Sequence, residues 1–333
     1  MNLLSSIAMA TTLTVQEQEP KYKYIAEPSE KAFIQESRSK DNLVSNMILS
    51  LIQGVDTNPL LDSTKKADNY TEEILDMHFK YPLFGPNRGF TNSKFGFNIT
   101  NINYYNITDV DIFDGVADVK FEQEISRDIT LSAGYTFELL WFPSDENGNF
   151  IGNEINASAK QKLTDKIYQK CSYKLVFKNF LERKARLGNA NFSSNLRSDI
   201  RNVFEYELGA YIINDTKVRV IDQFYISESN DQYFDFYDYI NNRVGVSMIQ
   251  LLVKKLYNIT GFYYQRRNYD ARKVSDRDAN QRDNLYIVTT SFLYDVTKDI
   301  SIFVNYSHAE NHTNEPLEKY SNNIYSTGLH YSF

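Results

Sequence analysis

The chain of 333 residues is 42% hydrophobic and 24% charged, with a formal net charge of −7. Its single cysteine, Cys171, excludes an intramolecular disulfide framework and a four-cysteine metal site. The acidic balance argues against nucleic acid as a partner, and the longest apolar run, residues 42–55, is too short for the roughly 20 residues of a membrane-spanning helix.

Near the N-terminus, Leu3, Leu4 and Ile7 lead into Ala8-Met9-Ala10, a small-x-small pattern of the kind signal peptidase accepts. Residues 1–10 are therefore expected to be the remnant of an export signal. Residues 11–41 are charged and aperiodic (Gln16-Glu17-Gln18-Glu19-Pro20) and read as a flexible periplasmic extension.

Beyond residue 42 the hydrophobic period is two, the period of a β-strand with one apolar and one polar face. The first segment is 43–53, followed by the alternating Leu75, Met77, Phe79, Tyr81 and then Phe95, Phe97, Ile99. The clearest case is Ile129–Trp141, where Ile129, Leu131, Ala133, Tyr135, Phe137, Leu139 and Trp141 oppose Thr130, Ser132, Gly134, Thr136 and Glu138. Further along come Cys171, Tyr173, Leu175, Phe177; Phe204, Tyr206, Leu208, Ala210, Ile212; and Tyr286, Val288, Thr290, Phe292, Tyr294. Ile300, Ile302, Val304, Tyr306 and then Tyr325, Thr327, Leu329, Tyr331, Phe333 close the series. Weaker segments lie at 113–123, 153–163, 216–227, 241–252 and 256–265, and Asp222 interrupts the apolar face of 216–227, as a bulge or a register change would.

These segments exceed the usual 5–6 residues of globular sheets and match the roughly 9–11 residues of a tilted strand crossing an outer membrane. From the fourth strand on, short links (126–128, 164–166, 214–215, 254–255, 297–299) alternate with long polar ones (142–152, 180–197, 228–240, 270–281, 310–320). Short periplasmic turns and longer outer loops have this rhythm. The expected fold is all-β, a transmembrane antiparallel up-and-down β-barrel of about fourteen strands (about twelve to sixteen) over residues 42–333. A soluble sandwich would have shorter strands, and a solenoid a fixed repeat that the sequence lacks.

The final segment, Ser326, Gly328, Tyr331 and Phe333 on an alternating strand, resembles the C-terminal assembly signal of Gram-negative outer-membrane proteins. That resemblance implies the barrel-assembly machinery as a partner and the cell outer membrane as the location. Gly54-Val-Asp56-Thr-Asn58-Pro59 and the closing hairpin from Asn305-Tyr306-Ser307 to Phe333 are similar to the start and end of the β-barrel porin family of Gram-negative outer-membrane proteins. This likeness implies fold and location more than activity.

With the aromatic faces toward lipid, the opposite faces line a lumen. They bring together Lys160, Lys162, Lys170, Lys174 and Lys178, since neighbouring antiparallel strands place such residues within about 4.5–8 Å. A basic ladder of this kind would favour anions, but Glu122 and Glu138 on one side and Glu205 and Glu207 on the other are expected to neutralise it across the barrel. The function this predicts is a passive, porin-like channel for small polar solutes. The alternative is a structural or surface-interaction barrel using its outer loops, the acidic-aromatic Asp231–Tyr239 and the basic Gln265–Arg282, the latter suited to lipopolysaccharide. Catalysis is not expected. Ser307 and His308 are strand neighbours and so point to opposite faces, and His308 and His312 fall in an outer loop. No P-loop, dinucleotide-binding or EF-hand pattern occurs, so no cofactor and no metal is expected.

Overall fold

The computed structural model describes residues 7–9, 22–24, 44–61, 66–82, 91–188, 191–213, 216–232, 237–275 and 277–333. Most of the expected leader and extension, the link at 83–90, the turn at 214–215 and residues 233–236 lie outside them. Within the N-terminal segment, Ile7–Met9 pairs antiparallel with Tyr22–Tyr24.

Fourteen antiparallel strands form one closed ring. In chain order they are β1 (Val44–Asp56), β2 (Asp68–Pro82), β3 (Thr91–Tyr104), β4 (Ile112–Glu124), β5 (Ile129–Trp141), β6 (Phe150–Lys162) and β7 (Ile167–Gly188). They continue as β8 (Asn191–Ile213), β9 (Thr216–Ser229), β10 (Tyr239–Val253), β11 (Leu256–Val274), β12 (Arg277–Asp295), β13 (Ile300–Thr313) and β14 (Tyr320–Ser332). Each strand of the ring pairs with its sequence neighbours, and β14 pairs with β1, so the ring has no edge strand.

The alternation predicted for β5 is seen residue by residue. Leu131, Tyr135, Phe137 and Trp141 point outward and are 37–44% exposed, while Thr130, Ser132, Gly134 and Thr136 point inward. The same division runs round the ring: Leu49 and Leu51, Phe95 and Phe97, Phe204 and Leu208, Phe292 and Tyr294, Val304, Leu329 and Tyr331 all face out. Cys171 is exposed on that face. The 13 residues of β5, rising about 3.3 Å each at a tilt of about 40°, outreach an apolar band about 25 Å tall.

The seam is closed by the register of β14 against β1, with Tyr331 opposite Leu49 and Leu329 opposite Leu51. Its last bonds run from the Phe333 amide to the Met47 carbonyl (3.0 Å) and from the Met47 amide to the Phe333 carbonyl (3.3 Å). Gly328 faces inward beneath the Phe303 ring, and Phe303 stacks on His330 with centroids 4.3 Å apart.

Several connections differ from the sequence reading. The stretches expected as long loops at 180–197 and 270–281 are instead extensions of strands: β7 and β8 run to 22 and 23 residues, and β11 and β12 to 19 each. Above the apolar band water bathes both faces of a hairpin, so alternation fades although pairing continues. His308, Glu310 and His312 lie in β13 rather than in a loop, on its outward face, with His312 Nε2 3.0 Å from Glu310 Oε1. At Asp222 there is no bulge. β9 and β10 pair without interruption from Thr216↔Gln250 to Ser227↔Tyr239, and the Asp222 carboxylate points outward to accept a hydrogen bond from Asn242 Nδ2 (3.3 Å).

Candidate functional site in the barrel lumen

Below the register shifts near the tips of β7–β8 and β11–β12, strand alternation sets the inward side chains, at even positions of β1–β7 and β14 and odd positions of β8–β13. All eight of the predicted lining residues lie on this inward register. Lys160 stands opposite Lys170, Lys162 opposite Tyr168, Lys174 opposite Asn156, Lys178 opposite Gly152, and Glu138 also opposite Gly152. On β8, Glu207 is opposite Lys170 and Glu205 opposite Ser172.

The charges are sorted by wall rather than interleaved. On β2, β3 and β4 the inward face carries Asp68, Glu72, Asp76, Asp114, Asp118 and Glu122, with Lys80, Lys94, Lys120 and His78 among them. Glu122 is held by Lys94 (3.0 Å) and Lys120 (2.8 Å), and Asp76 by His78 (3.0 Å). On β6 to β11 the inward face carries the predicted lysines together with Arg201, Lys217, Arg219, Arg243 and Arg267. The centres of the two walls, β3 and β9, are six strands apart in the ring of fourteen. Neutralisation is therefore local to each wall. Lys174 comes within 3.9 Å of Glu154, Glu207 accepts from the Tyr168 hydroxyl, and Glu205 accepts from Gln223 Nε2 (3.0 Å).

The acidic wall was not singled out from the sequence. The signal was present, because Asp68, Glu72 and Asp76 recur at every fourth residue opposite the apolar face of Leu75, Met77 and Phe79. An arginine–tyrosine stack toward the end with the longer connections was not predicted either. There the Arg197 guanidinium lies 3.3 Å from the Tyr237 ring centroid and 4.5 Å from that of Phe180, and Arg267 lies 4.5 Å from that of Tyr239. Cation–π contacts of this kind gain strength where they are shielded from water. Two residues of the acidic-aromatic segment, Tyr237 and Tyr239, are thus buried, and Asp231 receives Arg186 Nε at 3.2 Å. Arg267 and Arg272 of the basic segment are also buried, the latter paired with Glu318.

The same end is narrowed by two connections that turn inward. Leu61, Ile107 and Val110 pack in one cluster with the inward Tyr70, Ile102, Tyr104, Leu285, Ile287 and Ile324. Asp68 fastens the second connection, its carboxylate accepting from the amides of Asn106 (2.8 Å) and Ile107 (2.7 Å) and from Asn106 Nδ2 (2.7 Å). Burial lifts the Asp111 carboxyl in this connection above its ordinary value, opposed by the hydrogen bond it accepts from the Tyr104 amide. The Gly54–Pro59 motif turns over this cap: Asp56 accepts from the Asn58 amide (2.9 Å) and the Tyr104 hydroxyl (3.1 Å). At the first residue of that motif, a Cβ on Gly54 would come within 2.5 Å of the Tyr70 ring, so a larger residue there would have to displace the ring.

No protein-family model matches the chain, and no curated protein matches its sequence. Among solved structures, the outer-membrane expressed OmpT of Vibrio cholerae superposes with a TM-score of 0.51 at 11% identity, covering 89% of this chain and 99% of that one. The in-vitro folded trimer form of OmpT gives 0.51 at 11% identity over 88% and 100% of the two chains. Its loop L8 deletion mutant gives 0.50 at 10% identity over 88% and 100%. Closed ring, outward aromatic band and charged interior are thus joined by likeness of fold: this chain has the fold of bacterial outer-membrane β-barrels.

Proposed function

We propose that this protein resides in the outer membrane of a Gram-negative cell and acts as a passive channel for small polar solutes. The observation that carries this reading is the sorting of faces: an apolar, aromatic outside and an inside lined by opposed acidic and basic walls. Lipid would take the first and water the second. A transverse field between the walls orients a dipolar solute and favours charged or hydrogen-bonding permeants over apolar ones. The final strand, through Tyr331 and Phe333, would be the element read by the barrel-assembly machinery. The reading assigns no catalysis.

Two measurements test it. Purified barrel in a planar bilayer is expected to give discrete conductance steps in KCl. Asp68→Ala, which frees the inward connection at 105–111, is expected to raise the unit conductance about two-fold or more. Silence from both proteins would discard the channel and favour a barrel that works through its surface, a reading supported by the packed cap at the long-connection end. Membrane immersion is tested separately by Asp222. Its carboxylate sits on the outward face between Val220 and Phe224. Asp222→Leu is expected to stabilise the barrel in phospholipid vesicles by about 1–2 kcal/mol in urea unfolding, because a charge facing lipid is costly. A neutral or destabilising result would remove lipid from that face.

A further inference from the structure

On the outward face of the last four strands, the apolar band ends at a row of tyrosines. The last outward phenylalanine or tyrosine toward the long-connection end is Tyr264 on β11, Tyr286 on β12, Tyr306 on β13 and Tyr325 on β14. The next outward residues in that direction are Arg266, Asn284, His308 and Asn323. The tyrosines stand in pairs, Tyr264 with Tyr286 (ring centroids 5.2 Å apart) and Tyr306 with Tyr325 (5.1 Å). Two hydroxyls donate toward the polar side, Tyr264 to Asn284 Oδ1 (2.8 Å) and Tyr306 to Asn323 Oδ1 (3.0 Å). Aromatic rings set between an apolar and a polar zone mark the level of lipid headgroups. Phe262 and Val288, exposed just below, are then at the depth of acyl chains.

Directly above the first tyrosine pair the basic segment divides. Arg267 and Arg272 turn inward and are buried, whereas Arg266 and Arg282 are exposed on the outward face. Arg266 is opposite Asn284 and Arg282 opposite Asn268, so the two arginines are diagonal neighbours, about 7–8 Å apart at the backbone, and both can reach one shared group. Among the described residues no carboxylate is ion-paired with either, and Arg266 Nε donates to the neutral Asn268 Oδ1 (3.3 Å). The acids on this face are engaged or set apart. Glu310 is held by His312 (3.0 Å) and Asp278 by Lys273 (2.9 Å). Asp222, two strands away, accepts from Asn242 (3.3 Å), and Asp270 lies beyond Asn268 toward the hairpin tip.

We propose that Arg266 and Arg282 clamp a phosphate group of the glycolipid that forms the outer leaflet of a Gram-negative outer membrane, with its acyl chains lying on Phe262 and Val288. Guanidinium forks match phosphate oxygens in pairs, and such charge-assisted hydrogen bonds are the strong ones. The glycolipid is the occupant because the clamp stands on the long-connection side of the tyrosine row, the side that outer-membrane barrels turn outward. This inference rests on the outer-membrane location in the channel reading and not on conduction.

The test uses the full chain folded in zwitterionic detergent at low salt. Diphosphoryl lipid A, added in the same detergent and followed by thermophoresis, is expected to bind saturably and about ten-fold or more tighter than phosphatidylglycerol. Arg266→Gln/Arg282→Gln is expected to weaken lipid A binding about ten-fold or more, and Arg266→Lys/Arg282→Lys, which keeps the charges and loses the forks, about three-fold. Lys184→Gln, which removes an exposed charge on β7, is expected to leave binding unchanged. Heat-modifiability on a gel confirms that each variant is a folded barrel. Wild-type affinity in the glutamine pair, or in the lysine pair where only that one folds, overturns the clamp, as does an equal loss in Lys184→Gln. Phosphatidylglycerol bound as tightly as lipid A overturns the glycolipid as its occupant. A barrel that conducts KCl in planar bilayers yet binds lipid A no better than the glutamine pair loses the clamp alone. One that binds lipid A through the two arginines and stays silent loses the channel alone.

Discussion

Gly328→Val is expected to prevent the barrel from closing. A Cβ at this position would come within 2.5 Å of the Leu51 carbonyl oxygen and 2.6 Å of the Phe303 ring. The ring is itself buried and stacked on His330, and the carbonyl belongs to β1 and takes part in the seam itself, where Leu51 is opposite Leu329. Overpacking a rigid contact costs about 1–3 kcal/mol, and here the cost falls on the ladder that removes the last free edges. Urea-diluted protein added to lipid vesicles should therefore yield less than about a tenth of the wild-type heat-modifiable form. Gly328→Ala/Phe303→Ala relieves the ring contact but not the carbonyl, so its folded yield should fall between the two. A folded yield of Gly328→Val equal to wild type would show that the seam tolerates a side chain and that the glycine serves another end.

The second large effect concerns the arginine–tyrosine stack. Arg197 is 0% exposed, and its guanidinium donates to Asp199 through Nε (2.9 Å) and Nη2 (2.6 Å) while stacking on Tyr237. It therefore ties the connection after β9 to the tall β7–β8 hairpin. Arg197→Leu leaves the Asp199 carboxylate buried without its bidentate partner, and breaking such a pair costs about 3–5 kcal/mol. The variant should lose that amount in reversible urea unfolding and expose the connection containing Tyr237 to protease. Removing both charges in Arg197→Leu/Asp199→Leu should recover most of the loss, to within about 1 kcal/mol of wild type, because no uncompensated charge remains. If the double variant is as unstable as the single one, the stack on Tyr237 and Phe180, rather than the ion pair, holds this end together.

Both effects involve partners far apart in the chain, and that bears on how much could be read in advance. Individual strands were legible: Ile129–Trp141 was delimited to the residue by its alternation, because a strand between lipid and water must separate its faces. Gly328 was recognised as part of a terminal pattern, although the carbonyl of Leu51 that makes a side chain there intolerable is invisible without the seam. The upper parts of β7 and β8 were mistaken for a loop. Glu182 and Lys184 are exposed, and so are Leu187 and Phe192 at 55% and 60%, so neither face is consistently apolar. The predicted lysines do share the inward face, since alternation assigns faces within a strand. The acidic wall that stands across from them depends on which strands become neighbours.

By itself, then, the order of residues determined that this protein is built of long two-faced strands, about fourteen of them, and which side chains along most of each strand turn inward and which outward. Only the tertiary structure decided that acids and bases occupy separate walls, that two connections fold into one end, and that Arg197 meets Tyr237. The physical reason is that facing follows from a local period of two, whereas what lies across the lumen follows from register and ring closure, which join residues hundreds of positions apart.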